Sequence, residues 1–252
     1  MTRHANRCIH AFQHDSGVEI STYSRPTVPV TSAARYPTRL RPPSAVIDIA
    51  KPEPILQQGM IRNLAAGQAG MTSNAFLVDG ERAVLVDVGS GFDVVSAARE
   101  HIDTADAVVL THTHPDHVGN LGAVTDAFGV DVWGYDPDHD GVDHAIGDSR
   151  TVQLGDHEYE ALHTPGHKDD HICLYAPSNG VLFAGDLVFA DGGFGRTDLS
   201  EGDRSTLVGS IKRVHERVEG NLREMHVGHG PSVTTNPLQD VELALQAARM
   251  GV

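Results

Sequence analysis

The chain has 252 residues, 40% of them hydrophobic, enough for one large domain or two small ones with a real core. Its formal net charge of −15 disfavours a nucleic-acid partner, which needs a broad basic face. No apolar run approaches the roughly 20 residues that span a bilayer, no signal-type segment opens the chain, and Cys8 and Cys173 make no disulfide framework, so the expectation is a cytoplasmic protein without a membrane partner.

Residues 1–58 read as an N-terminal extension rather than a folded unit. Arg, Ser, Thr, Pro and His dominate, and Pro26, Pro29, Pro37, Pro42 and Pro43 interrupt any element. Such a segment suits a transit peptide or an interaction arm, and more simply a disordered tail. Composition switches at Met60, an alternative point for translation to begin, and residues 44–55 could add an edge strand. Residues 1–59 carry 7 Lys+Arg against 4 Asp+Glu, whereas residues 60–252 carry 12 against 30, with Asp outnumbering Glu 21 to 9. So acidic and lysine-poor a surface resembles that of halophilic archaeal proteins, where high salt screens self-repulsion.

Residues 59–252 read as one alternating α/β domain. Residues 74–78 and 82–88 predict a β-hairpin across Asp79-Gly80, a preferred tight turn. Residues 92–102 predict an amphipathic helix, 105–110 a buried strand, 118–128 a helix and 131–135 a strand. Residues 136–148, with five Asp and two His at irregular spacing, read as a solvated acidic loop. Strands follow at 151–154 and 159–163, then a hairpin of 172–175 and 181–184. Residues 203–218 predict a helix capped by Asp203, residues 223–227 a last strand and 238–249 a closing helix. A strand-rich half followed by helix and strand occurs twice, which suits two halves packed face to face.

Chemistry concentrates between the strand at 105–110 and the next helix. Thr111-His112-Thr113-His114-Pro115-Asp116-His117-Val118-Gly119 packs three imidazoles and a carboxylate into six residues. Open α/β folds bind ligands at such strand ends, and neutral imidazole is the commonest transition-metal ligand. Three later strand ends carry donors beside turn residues: Thr164-Pro165-Gly166-His167, Gly185-Asp186 and Gly228-His229-Gly230. Five His and two Asp suffice for two divalent ions sharing one carboxylate, each with a position left for water. His/Asp donors suit zinc, iron and manganese alike, with zinc the expected ion.

The segment 111–119 resembles the T-H-x-H-x-D-H signature of the metallo-β-lactamase superfamily, and the later segments resemble that family's remaining motifs in order. The resemblance implies an αββα sandwich of two mixed sheets flanked by helices. It implies His112, His114 and His167 at one metal, Asp116, His117 and His229 at the second, and Asp186 between them. Asp87 matches an acidic position that supports the metal loop, either by orienting a ligand imidazole or as a turn cap. His171 matches a second histidine found after T-P-G-H, although Lys168-Asp169-Asp170 departs from the usual spacer. His101, His139, His144, His157, His163, His215 and His226 have no ligand context.

Gly195-Arg196-Thr197-Asp198-Leu199, Gly202-Asp203 and Ser210-Ile211 resemble the glyoxalase II-like branch. Arg196 would pair with an internal carboxylate or with an anionic substrate. The 23 residues after His229 leave room for one helix, where glyoxalase II carries a larger glutathione-binding domain. The resulting expectation is a di-metal hydrolase in which a metal-bound hydroxide, oriented by Asp116, attacks the carbonyl of a small-molecule thioester or ester. The alternative is an iron persulfide dioxygenase using His112, His167 and Asp186. A nuclease or tRNA-processing enzyme and a non-catalytic metal-binding protein stand behind both.

Overall fold

The computed structural model describes residues 60–68 and 70–251. The expectations for residues 1–59 lie outside the described residues. Six strands form one mixed sheet in chain order: β1 Ile61–Asn63, β2 Phe76–Val78, β3 Val84–Val86, β4 Ala107–Val109, β5 Val132–Gly134 and β6 His144–Ala145. The first three pair antiparallel, and β3 to β6 run parallel. The second sheet has the order β11-β10-β9-β8-β7, from β7 Thr151–Leu154, β8 His157–His163, β9 Ile172–Ala176, β10 Val181–Gly185 and β11 Glu224–Val227. Only β10 and β11 are parallel there.

Side-chain alternation builds three apolar layers, because successive residues of a strand face opposite sides. Phe76, Val78, Val84, Val86, Ile172, Leu174 and Phe183 lie between the sheets. Their neighbours Leu77, Leu85 and Val108 face α1 Val94–Arg99 and α3 Leu121–Phe128. Cys173, Tyr175, Leu182 and Ala184 face α4 Arg204–Val218 and α5 Pro237–Met250. Helix α4 buries Leu207, Ile211, Val214 and Val218, a helical stripe. Asp203 caps it by accepting the Thr206 N–H at 2.6 Å. The expected αββα sandwich is the observed fold.

Differences from the sequence reading are local. Strand β1 was not anticipated, since Ile61-Arg62-Asn63 carries no clear period and is defined by its pairing with β2. The acidic loop is not wholly solvated: His144–Ala145 pairs with β5, and Val142 and Ile146 are buried beside it. The segment after the first histidines is partly helical, α2 Pro115–Val118, with Pro115 at its first position, where a missing N–H costs nothing. Helix α1 is shorter than residues 92–102 suggest. Among the described residues no helix is long and apolar enough to cross a membrane.

Candidate metal centre

The C-terminal ends of β3, β4, β8, β10 and β11 deliver Asp87, the 111–117 segment, the 164–167 turn, Asp186 and the 228–230 turn. All seven predicted donors meet there. They form three groups, each with ligand atoms within 4.8 Å of one another: His112, His114 and His167; His112, His117 and Asp186; and Asp116, His117 and His229. Asp186 Oδ2 lies 3.4 Å from His167 Nε2 and 3.5 Å from His229 Nε2, and its Oδ1 lies 3.4 Å from His117 Nε2. His112 Nε2 is 3.1 Å from His114 Nδ1, and His229 Nε2 is 3.0 Å from Asp116 Oδ2.

The three Asp186 spacings match those around a divalent ion. Ligand atoms bound at about 2.0–2.2 Å in a tetrahedron sit about 3.3–3.6 Å apart. His117 Nε2, His167 Nε2 and Asp186 Oδ1 are buried with no hydrogen-bond partner in the protein. Each such atom costs about 1–3 kcal/mol if left unsatisfied, and a cation between them removes that cost. No other histidine joins these groups among the described residues, and the acidic loop contributes none of their donors.

Hydrogen bonds fix the Nδ1 atoms of His112, His117 and His167, so their Nε2 atoms face the centre. His117 Nδ1 donates to Asp87 Oδ2 at 2.8 Å. Asp87 also accepts the Thr111 N–H and hydroxyl, at 2.8 and 2.7 Å, and Thr111 Oγ1 lies 3.2 Å from His112 Nδ1. Asp87 therefore orients the His117 imidazole. His167 Nδ1 donates to the Arg196 carbonyl at 2.8 Å. His171 Nε2 accepts the Asp186 backbone N–H at 3.0 Å, while its Nδ1 meets Thr164 Oγ1 at 2.8 Å. His171 thus holds Asp186 rather than a metal. The Arg196 guanidinium is spent on Asp198, bonded twice at 2.7 Å.

Gly228 is required by close approach. A Cβ there would run into Asp186 Oδ1 and press on His117 Cε1 at 3.0 Å. Asn74 went unnoticed in the sequence. Its Nδ2 donates to the Val227 and Gly230 carbonyls at 2.7 and 2.9 Å, fixing the turn that carries His229. Only its place at the head of a predicted strand hinted at it.

Charges order the centre. Burial drives the His112 imidazole well below its ordinary value, helped by the neighbouring His117. Burial likewise pushes His171 down to about 3. His117 is also opposed by burial, but the Asp87 and Asp186 carboxylates outweigh it and raise it to about 10. The hydrogen bond to Asp116, then that to Asp186, raises His229 to about 9. Asp186 is pushed up by burial, yet the adjacent His117 and His229 imidazoles hold it well below the carboxylate range.

A cavity of about 590 Å³ is lined by Asp136, Asp138, His139, Asp140, Lys168, Asp169, Asp170 and Glu201. Its Lys168 follows the predicted ligand His167 and acts electrostatically on His114.

Comparison with known proteins agrees with this architecture. The sequence profile of the metallo-beta-lactamase superfamily matches residues 69–236. A hydroxyacylglutathione hydrolase from Klebsiella pneumoniae is 34% identical over 143 residues, covering 56% of this chain and 55% of the relative. The chain thus matches about half the length of such curated relatives. Among solved structures, the B3 metallo-beta-lactamase BLEG-1 superposes with a TM-score of 0.59 at 27% identity, covering 75% of this chain and 96% of that one. TTHA1623, solved in a di-iron-bound form, gives a TM-score of 0.58 at 28% identity, covering 71% and 94%.

Proposed function

We propose that this chain, which belongs to the metallo-β-lactamase superfamily, is a two-metal hydrolase of a small-molecule thioester or similar acyl ester, working in the cytoplasm of a salt-adapted cell. The observation that carries the reading is the convergence of seven donors around buried ring nitrogens and a carboxylate oxygen that have no partner in the protein. The relative named hydroxyacylglutathione hydrolase supports the thioester class.

His112, His114 and His167 would hold one ion, Asp116, His117 and His229 the other, with Asp186 between the two. Zinc is the preferred metal. When bound, such ions supply a water acidified towards neutral pH and a Lewis acid for the carbonyl oxygen. Asp116 has the chemical role among the protein groups. Its side chain is about a third exposed and pairs through Oδ2 with His229, which, first among its neighbours, keeps it ionised. An ionised carboxylate at the open side of the centre accepts a proton from an attacking water and aims its lone pair. Asp87, His171 and the Arg196 carbonyl hold the surrounding rings and Asp186 in place.

A second reading, one iron on His112, His167 and Asp186 oxidising a persulfide, uses a subset that also lies together. It leaves His114, Asp116, His117 and His229 without work. Metal content measured alongside a panel of thioesters, esters, lactones and a persulfide separates the two. Hydrolysis of a thioester without oxygen uptake supports the proposal; oxygen uptake with a persulfide and one iron per chain overturns it.

A further inference from the structure

The predicted donors of the metal centre come from loops of two different sheets, so something must hold those loops in register. His112 and His114 follow β4 of the first sheet, while His167 follows β8 of the second. Thr113, the spacer between the two histidines, is buried, and its hydroxyl donates to Asp170 Oδ2 at 2.6 Å. Asp170 is 4% exposed and sits three residues after His167. Its second oxygen faces Lys168 Nζ at 3.5 Å, and Lys168 is itself bonded to Glu201 at 2.7 Å. A chain of polar contacts therefore runs from Glu201, ahead of α4, through Lys168 and Asp170 to Thr113.

We infer that Asp170 is a positioning residue: through the Thr113 hydroxyl it sets the place of His112 and His114 relative to His167, with Lys168 as its counter-ion. The inference rests on the two-metal reading above. The physical case is the depth of the contact. A buried carboxylate is costly unless it is paired and hydrogen-bonded, and Asp170 has both kinds of partner. Its placement in the loop that bears His167, bonded to the residue between the other two donors, makes it a strap across one metal site and not the other. Hydrogen-bonded groups that hold metal ligands in this way alter affinity by about 10–100-fold when removed.

The test is zinc binding to the full chain, measured by competition with a chelator of known affinity. In Thr113→Val, a substitution close in shape that deletes the hydroxyl, one of the two zinc ions is expected to bind about 10–100-fold more weakly while the other is unchanged. Thr113→Ser, which keeps the hydroxyl, restores wild-type binding. Asp170→Ala weakens the same ion, and the double variant Thr113→Val/Asp170→Ala is no worse than the weaker single one, because both remove one contact. Equal binding of both ions by Thr113→Val and wild type overturns the inference, as does additive loss in the double variant. Weakening of both ions alike also overturns it. A wild-type chain that takes up no zinc overturns the two-metal reading and this inference together, whereas two tight ions in every variant removes the strap alone.

Discussion

The Asp87 carboxylate accepts the Nδ1–H of His117 at 2.8 Å while also holding Thr111, whose hydroxyl lies 3.2 Å from His112 Nδ1. One buried acid thus steers two rings that face the centre. It does so from φ 56°, a left-handed conformation uncommon for a residue with a Cβ. Asp87→Ala is expected to weaken zinc binding by about 10–100-fold and to lower the melting temperature of the ion-free chain, since the buried His117 loses its partner. Chelator competition and thermal unfolding measure the two effects. Undiminished zinc affinity would remove Asp87 from the support of the centre.

Gly228 leaves no room for a methyl group. In Gly228→Ala the new Cβ would displace Asp186 Oδ1, the oxygen that faces His117. The expected result is a folded protein that has lost at least one metal per chain and its hydrolytic activity. Elemental analysis with circular dichroism checks it; a fully loaded, active variant would show that Asp186 can move aside.

Asp116 is half-buried at the mouth of the centre rather than part of the core. Asp116→Ala is expected to abolish thioester turnover while shifting the melting temperature little. Steady-state kinetics beside calorimetry test this. Near wild-type kcat contradicts the role assigned to Asp116.

His226 lies outside the centre, stacked on Phe183 with centroids 5.0 Å apart and bonded to Ser232 Oγ at 2.8 Å. Burial depresses it to about 4. Glu224 on the same strand lies 3.4 Å from its Nε2, and burial raises that acid. The sign is that of a base that folds neutral. Below an unfolded value of about 6.5 the unfolded chain takes up a proton that the native one refuses until about pH 4. Stability is therefore complete above about pH 6.5 and falls through that window, by on the order of 3 kcal/mol. His226→Phe should flatten this acid limb in denaturant unfolding series at stepped pH. An unchanged slope would assign acid lability to other groups.

The two cations that flank His167 are already occupied, Lys168 by Glu201 and Asp170, and Arg196 by Asp198. The neighbouring cavity is lined by six carboxylates. An anionic thiol such as glutathione therefore meets repulsion and no free anchor at this wall. Matched thioesters of a neutral thiol and of glutathione are expected to differ several-fold in kcat/KM in favour of the neutral one, with the gap narrowing as salt screens the wall. Glu201→Gln, which removes one of the two acids paired with Lys168, should improve the glutathione ester. Equal or better turnover of the glutathione ester in wild type contradicts the charge argument.

The centre was legible in the sequence because its chemistry is local: one strand end carries four donors, and three later ends, each with a glycine beside it, carry one apiece. His112, His114, Asp116, His117, His167, Asp186 and His229 all arrive at one place. What the sequence left open depends on contacts between distant segments. Asn74 reaches residues 227 and 230, and Thr113 reaches Asp170. No periodicity announces such contacts. The departure at Lys168-Asp169-Asp170 acquires its reason only when Asp170 is seen against Thr113. Strands β1 and β6 were missed because two or three residues at a sheet edge carry too short a pattern to read.

The most direct test of the central claim is a titration of the metal-free full chain with zinc while hydrolysis of a neutral thioester is followed. Two ions are expected to bind per chain, with activity complete only when both are present. Turnover that survives chelation of both ions, or two bound ions with no turnover of any thioester or ester, would contradict it.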